Sequence, residues 1–443
     1  MKHRSYLKPG ALALALLLVA PIFKADAQNT RTITLDQAVQ MSIANSGQLK
    51  LDNAKVDEAV AYSKEAWNNH LPDAKVTGAY MRLNSPNVDL KVKLGSGSSG
   101  GGKPITVNQA AYGILNASLP VFSGLRIRYG VESAKYLEQA AKLDVENNKE
   151  EVIMNTASAF SNLFKAKEYV GLVKENLKQQ QQRVTDFSNL EKNGLLARND
   201  LLKAQLQETN VELTLLEAEN DLQITYTSMD LMLGLPENTI LIPDTSGFSI
   251  ADPGSLIQWE QTAHDNRKDM SSLSYREKAA ATAIKATKGE YYPGIAITGG
   301  LIAADVPNLL VLNDALNIGI GLSYNFGALW KTGAKVAQAN ARLHQVQANE
   351  SMLSDKIRLD VTQAYQNYIL SLKKIDVYKK SVEQANENYR ITKNKYDNSL
   401  VTTTDLLEAD VAQLQAQLSS LLSKADALVA YKKLQQTAGV LTK

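Results

Sequence analysis

The chain has 443 residues, with 48 Lys and Arg against 46 Asp and Glu, a formal net charge of +2 and no cysteine. Balanced charge without a basic tract leaves no electrostatic footprint for nucleic acid. The lack of cysteine excludes disulfides, thiolate chemistry and a cysteine-linked lipid anchor. Four scattered histidines, His3, His70, His264 and His344, never approach metal-ligand spacing.

The N-terminus carries Lys2, Arg4 and Lys8, then the apolar run from Ala11 to Ala20, then Ala25-Asp26-Ala27 before Gln28. A basic region, a short apolar core and a small-x-small site predict a secretory signal peptide over 1–27. After a helical start comes Pro72, then a β-like run from Ala74 to Leu83 with Val76 and Tyr80. A Gly/Ser-rich stretch follows from about Asn84 to Asn108, and its part near 95–102 has the composition of a flexible connector. Leu115, Ala117, Leu119 and Val121 alternate with Asn116 and Ser118 in a second run, which ends at Phe122.

From about Val131 to Lys192 there is no proline, and Ala, Gln, Glu, Lys and Leu dominate. A helix of about 60 residues is roughly 90 Å long, too long for one compact globule to bury. Leu177 and Val184 recur at seven residues, with Phe187 and Leu190 following. Such spacing predicts supercoiled helix-on-helix packing. A turn, Asn193-Gly194-Leu195-Leu196-Ala197-Arg198-Asn199-Asp200, leads into a second helix of some 35 residues. Pro236, Pro243 and Asp252-Pro253 then interrupt the helical pattern.

The plan then repeats. Pro293 opens a run in which Ile295, Ile297, Gly299, Leu301 and Ala303 share a face. The run Asn317 to Phe326 places Ile318, Ile320, Leu322, Tyr324 and Phe326 on one side and Gly319, Gly321, Ser323 and Asn325 on the other. A second proline-free stretch from about Lys335 to Asp397 carries Ile375, Val382, Tyr389 and Tyr396 at seven-residue steps. Its turn reads Asn398-Ser399-Leu400-Val401-Thr402-Thr403-Thr404-Asp405. Asp200 and Asp405 are offset by 205 positions, Phe122 and Phe326 by 204, and Pro72 and Pro293 by 221, the excess falling in the Gly/Ser-rich insertion. Fixed-order similarity of this kind marks a duplicated unit: helix, strand, loop, strand, long helix, turn, long helix.

Runs of about 10 residues, apolar on one face and small or polar on the other, fit strands that cross a bilayer. A half-buried sheet in a soluble protein has the same alternation. If the strands span a membrane, four cannot close a barrel, since about eight is the smallest size and open edges do not survive in lipid. Several chains must then share one barrel. A coiled-coil structural or adhesive protein of the periplasm or cell surface, without a channel, is the alternative. No nucleophile elbow, metal motif or phosphate loop is present, so no enzymatic activity is expected.

The order of elements, the Leu35-Asp36-Gln37-Ala38 start, the Pro72 and Pro293 strand openings and the paired turns resemble the TolC-like outer membrane efflux protein family. The resemblance covers about Thr32 to Leu441. It implies a mainly α fold with transmembrane β: a homotrimer in which long coiled-coil hairpins form an α-barrel continuous with a 12-stranded β-barrel, four strands per chain. The chain would divide into a first repeat over 28–240, an inter-repeat segment over 241–255 at the tunnel's equator, and a second repeat over 256–443. The implied function is the exit duct of a tripartite efflux pump or type I secretion system in the outer membrane of a Gram-negative bacterium. Its partners would be a periplasmic adaptor and an inner-membrane pump of RND or ABC type, with outer membrane lipid around the barrel and no cofactor.

The same resemblance implies roles for single residues. Gly194, Leu195, Leu196, Ser399 and Leu400 would form an adaptor-docking tip, with Ser399 standing where the family has glycine. Asp405 and Glu408 would ring the closed tunnel end with carboxylates, although Asp405 also suits the first turn of a helix. Tyr396 and Asp200 would form a hydrogen-bonded latch between the turns, and Val401 replaces the arginine of a second one.

Overall fold

The computed structural model describes residues 30–84, 86–88, 105–237, 239–246, 251–307 and 309–442. The expected signal peptide and the Gly/Ser-rich connector near 95–102 lie outside the described residues. The elements in the first half are β1 (Thr30–Thr34), α1 (Leu35–Asn45), α2 (Gly47–Asn68), β2 (Asp73–Arg82), β3 (Asn87–Val88), β4 (Ile105–Thr106), β5 (Gln109–Phe122), α3 (Arg126–Lys192) and α4 (Arg198–Leu233). The second half continues with β6 (Ile240–Asp244), α5 (Leu256–Asn266), α6 (Lys268–Lys288), a 3-10 turn (Gly289–Tyr291), β7 (Gly294–Val306), β8 (Leu310–Ser323), α7 (Ala328–Asp397) and α8 (Thr403–Thr437). The duplicated plan is thus visible in the elements themselves.

The expected long helices are present, α3 with 67 residues and α7 with 70. The Leu-Asp-Gln-Ala start of α1 is a capping box. Thr34 Oγ1 accepts from the Gln37 amide at 3.3 Å, and Gln37 Oε1 accepts from the Thr34 amide at 3.2 Å, so two unpaired donors of the first turn are satisfied reciprocally. Ser255 and Gln258 do the same for α5. At the other end of α4, Gly234 adopts φ 70°, and a Cβ there would lie 2.7 Å from Asn45 Cγ. Asn45 is held by its Nδ2, which donates to the Leu233 carbonyl at 2.8 Å. Only glycine fits this left-handed stop.

The chain divides into two compact units. The unit formed by residues 46–157, 249–381 and 426–443 contains a four-stranded antiparallel sheet in the order β2-β5-β7-β8, so among the described residues β2 and β8 each have a partner on one side only. The register confirms which residues share a face. Val76, Leu115, Leu301 and Leu316 pair in one row across all four strands, and Leu119, Ile297 and Ile320 in a parallel row. The opposite face has Lys75, Asn116, Gly300 and Asn317 in one row and Asp73, Ser118, Thr298 and Gly319 in the next. The apolar rows stand in solvent-accessible positions, Ile318 being 85% exposed. β8 begins earlier than its alternation suggests and stops at Ser323. Tyr324 and Phe326 lie beyond it, where their rings pack edge to face at 5.0 Å. Among the described residues no helix is long and apolar enough to cross a membrane. Elsewhere in this unit Tyr368, almost fully buried, packs with Ala364 and Leu434 and donates its hydroxyl to the Ala251 carbonyl at 2.5 Å.

The unit formed by residues 1–45, 158–248 and 382–425 is built differently. β1 and β6 pair in parallel, Thr30 opposite Ile240 through Thr34 opposite Asp244. The proline-interrupted stretch after α4 therefore contributes a strand rather than a plain connector. Ile33 and Leu241, one from each strand, join Ala38, Phe160, Leu163, Met229 and Leu233 in a fully buried cluster. A side chain as large as Phe160 cannot be removed from such a cluster without leaving a cavity. Phe160→Ala is expected to lose about 3–5 kcal/mol, read as a lower unfolding midpoint in denaturant. An unchanged midpoint would mean this cluster does not carry the unit.

Candidate functional site at the paired helix turns

The two turns that the sequence repeats have the same backbone. α3 closes with Gly194 at φ 71°, its amide donating to Glu191 O at 2.9 Å and that of Leu195 to Leu190 O at 2.9 Å. α7 closes with Ser399 at φ 62°, its amide donating to Tyr396 O at 2.8 Å and that of Leu400 to Lys395 O at 2.8 Å. Even the side-chain caps coincide, since Asn193 and Asn398 each donate Nδ2 to the carbonyl four residues earlier at 2.7 Å. This is the left-handed helix stop that glycine favours. The second turn forms it with serine, at a cost of roughly 1 kcal/mol.

Each stop turns one leucine outward. Leu195 and Leu400 are both 73% exposed. Leu196, expected beside them, is instead partly buried against a cluster of Phe187, Leu201, Ala204 and Leu406, where Val184, Tyr389 and Tyr396 also pack. The apolar tip therefore consists of one leucine per turn.

The carboxylates of the second turn have distinct surroundings. Asp405 sits at the start of α8 and closes a capping box. Its Oδ2 accepts from the Thr402 amide and hydroxyl, both at 2.7 Å, while Thr402 Oγ1 accepts from the Asp405 amide at 3.3 Å. The hydrogen bonds from the Thr402 side chain, and then from its backbone, hold the Asp405 carboxyl below the usual carboxylate range. The cap is complete at neutral pH and is lost only as pH falls through that lowered value. Glu408, one turn on, is exposed. It lines a groove of about 630 Å³ between α4 and α8, together with Lys203, Gln207, Thr404, Leu407 and Val411.

Tyr396 and Asp200 are not joined by a hydrogen bond among the described residues. The Tyr396 ring stacks on Phe187 with centroids 5.7 Å apart, which turns its hydroxyl toward Thr403, whose Oγ1 donates at 3.4 Å. Asp200 accepts instead from Lys203, Nζ to Oδ1 at 3.5 Å, and the same ammonium donates to Thr404 Oγ1 at 3.3 Å. Lys203 thus makes a polar link between the two turn motifs. Val401, in place of an arginine, is half-buried.

A buried polar set behind the turns was not anticipated. Asp410 of α8, 2% exposed, accepts from Gln180 Nε2 of α3 and from Arg183 NH2 at 3.3 Å. Arg183 also donates to Gln180 Oε1 at 3.0 Å and to the Tyr389 hydroxyl of α7 at 3.1 Å. Three helices are thereby tied by one ion pair whose remaining polar atoms are satisfied, the condition under which a buried pair is tolerated. A signal existed. Gln180 lies three residues after Leu177 and four before Val184, and Asp410 four after Leu406, so both interrupt apolar rows.

The chain is similar to known proteins over most of its length. The family model described as "Outer membrane efflux protein" matches residues 38–235 and 259–440. The outer membrane efflux protein BepC of Brucella suis is 21% identical over 439 residues, covering 97% of this chain and 90% of its own length. Toxin and drug export protein A of Aggregatibacter actinomycetemcomitans is 23% identical over 423 residues, covering 88% of this chain and 82% of its own. The crystal structure of the outer membrane protein VceC from Vibrio cholerae has a TM-score of 0.74 at 16% identity, covering 91% of this chain and 96% of that one.

The serine in the second turn provides a direct test of the shared backbone. Ser399→Gly is expected to raise stability by about 0.5–1 kcal/mol, and Ser399→Val to lower it by at least as much, in denaturant unfolding. If glycine destabilised the protein, the left-handed stop would be wrong.

Proposed function

The chain belongs to the outer membrane efflux protein family, and from that premise we propose that three copies form a channel running from the periplasm to the cell exterior. The observation that supports this reading is the four-stranded sheet, whose edges at β2 and β8 are unpaired among the described residues. One face has two large apolar rows; the other has two small or polar rows beside a mixed row of Thr77, Ile114, Ile302 and Ala315. In lipid an unpaired edge leaves several kcal/mol per unsatisfied backbone group. Pairing β2 of one copy with β8 of the next removes every edge, and three copies close a barrel of 12 strands. The apolar rows then face outer membrane lipid and the polar rows line the lumen.

The long helices of the duplicated halves, over 28–240 and 256–443 with 241–255 between them, build a periplasmic tunnel in this reading. Transport is passive in the channel itself. An inner-membrane pump of RND or ABC type supplies the energy, and a periplasmic adaptor couples the two. Small molecules or exported proteins are the cargo class that the relatives' names suggest. The exposed Leu195 and Leu400 are the docking points for the adaptor, with Gly194, Leu196 and Ser399 setting their turns. Asp405 and Glu408 lie at the periplasmic constriction, and Tyr396, Asp200 and Lys203 hold the two turns together there.

Single-channel recording of the detergent-extracted oligomer in a planar bilayer tests the channel. A conductance that rises in Glu408→Ala supports the constriction; an unaltered one removes Glu408 from it, and no insertion by folded protein removes the channel. Docking has its own test. Leu195→Asp combined with Leu400→Asp is expected to abolish co-purification of the adaptor while leaving the heat-sensitive oligomer intact, and undiminished co-purification would discard the tip.

A further inference from the structure

The duplicated turn motifs carry opposite charges at Lys203 and Glu408, and the structure places these two residues on the same groove. Lys203 and Glu408 are offset by 205 positions, as are Asp200 and Asp405. Both side chains line the groove between α4 and α8. Lys203 is anchored there by Asp200 and Thr404 and keeps 41% of its side chain exposed. Asp405 is exposed, with one carboxylate oxygen engaged by Thr402.

We propose that Lys203 is a specificity-determining residue of the constriction, setting a mixed-charge rim in which an ammonium alternates with the Glu408 carboxylate. This rests on the channel reading above. Three related copies place three ammonium groups among the carboxylates, rather than adding a second acidic ring. At about 0.1 M salt, charges closer than roughly 10 Å act together on a passing ion. An ammonium in the same groove as Glu408 therefore weakens the cation preference that carboxylates alone impose, and it eases the passage of anionic solutes.

The experiment measures reversal potentials of the purified oligomer in a planar bilayer under a KCl gradient, comparing the wild type with Lys203→Gln, Lys203→Arg, Thr404→Val and Glu408→Gln. Lys203→Gln is expected to raise the K⁺ over Cl⁻ permeability ratio severalfold, and Glu408→Gln to lower it. Lys203→Arg keeps the charge and should retain the wild-type ratio. Thr404→Val removes an anchoring hydroxyl but no charge, and is expected to shift the ratio less than Lys203→Gln does. A wild-type ratio in Lys203→Gln beside a shifted one in Glu408→Gln overturns the role of Lys203 alone. Equal ratios in all variants overturn it together with the constriction assignment, and absence of any conductance overturns the channel reading beneath both.

Discussion

Backbone hydrogen bonding at the edges of one sheet constrains everything else in this protein. Among the described residues β2 and β8 each expose an unpaired edge, and their sheet carries large aliphatic side chains in exposed positions. In water such a sheet invites aggregation; in lipid its apolar face is satisfied but its edges are not. Only lateral pairing with further copies meets both demands. The assembly proposed here is therefore a consequence of the sheet's chemistry before it is a family property. The same demand explains the composition of the other face, where Gly300, Gly319 and Gly321 alternate with Asn and Thr. In the proposed barrel this face lines the lumen.

Duplication has preserved backbone geometry at the helix turns more strictly than sequence. The first turn stops with glycine and the second with serine, yet the donors, acceptors and asparagine caps coincide. The shared turn thus fixes the direction in which Leu195 and Leu400 point. A left-handed serine is worth its strain only if the leucine after it must be presented outward, as in the sister turn. Within this shared frame Lys203 and Glu408 occupy equivalent places with opposite sign.

Much of the fold was legible in residue order. Alternation in Ile295–Ala303 and Ile318–Leu322 identified the strand faces because a period of two is imposed by the pleat. The proline-free stretches identified α3 and α7 because nothing in them can end a helix. Other parts were not legible, for physical reasons. β1 reads Thr-Arg-Thr-Ile-Thr and owes its strand state to β6, some 210 positions away, a pairing that no local pattern encodes. The Tyr396 ring stacks on Phe187 and its hydroxyl accepts from Thr403, contacts that the pairing of Tyr396 with Asp200 in the sequence does not encode. Leu195 and Leu196 are indistinguishable by composition, and only the handedness of the turn decides which one is buried.

The Gln180–Arg183–Asp410–Tyr389 set shows how far polarity misleads in a helical seam. Gln180 stands in a run of four glutamines that reads as a solvated face, yet it is 1% exposed. Replacing one member leaves the others buried and unpaired, a loss of several kcal/mol, whereas a fully apolar seam would not incur it. What the polar set adds is register. Leucine rows on adjacent helices tolerate a slip of one heptad, because each knob finds a similar hole. A guanidinium that must meet Asp410, Gln180 and Tyr389 together accepts one alignment only. Helices of 67 and 70 residues, each offering nearly equivalent apolar contacts along its length, need such a fixed point. Its position close behind the turns lets the register of α3, α7 and α8 be settled where Leu195, Leu400, Lys203 and Glu408 have to be placed.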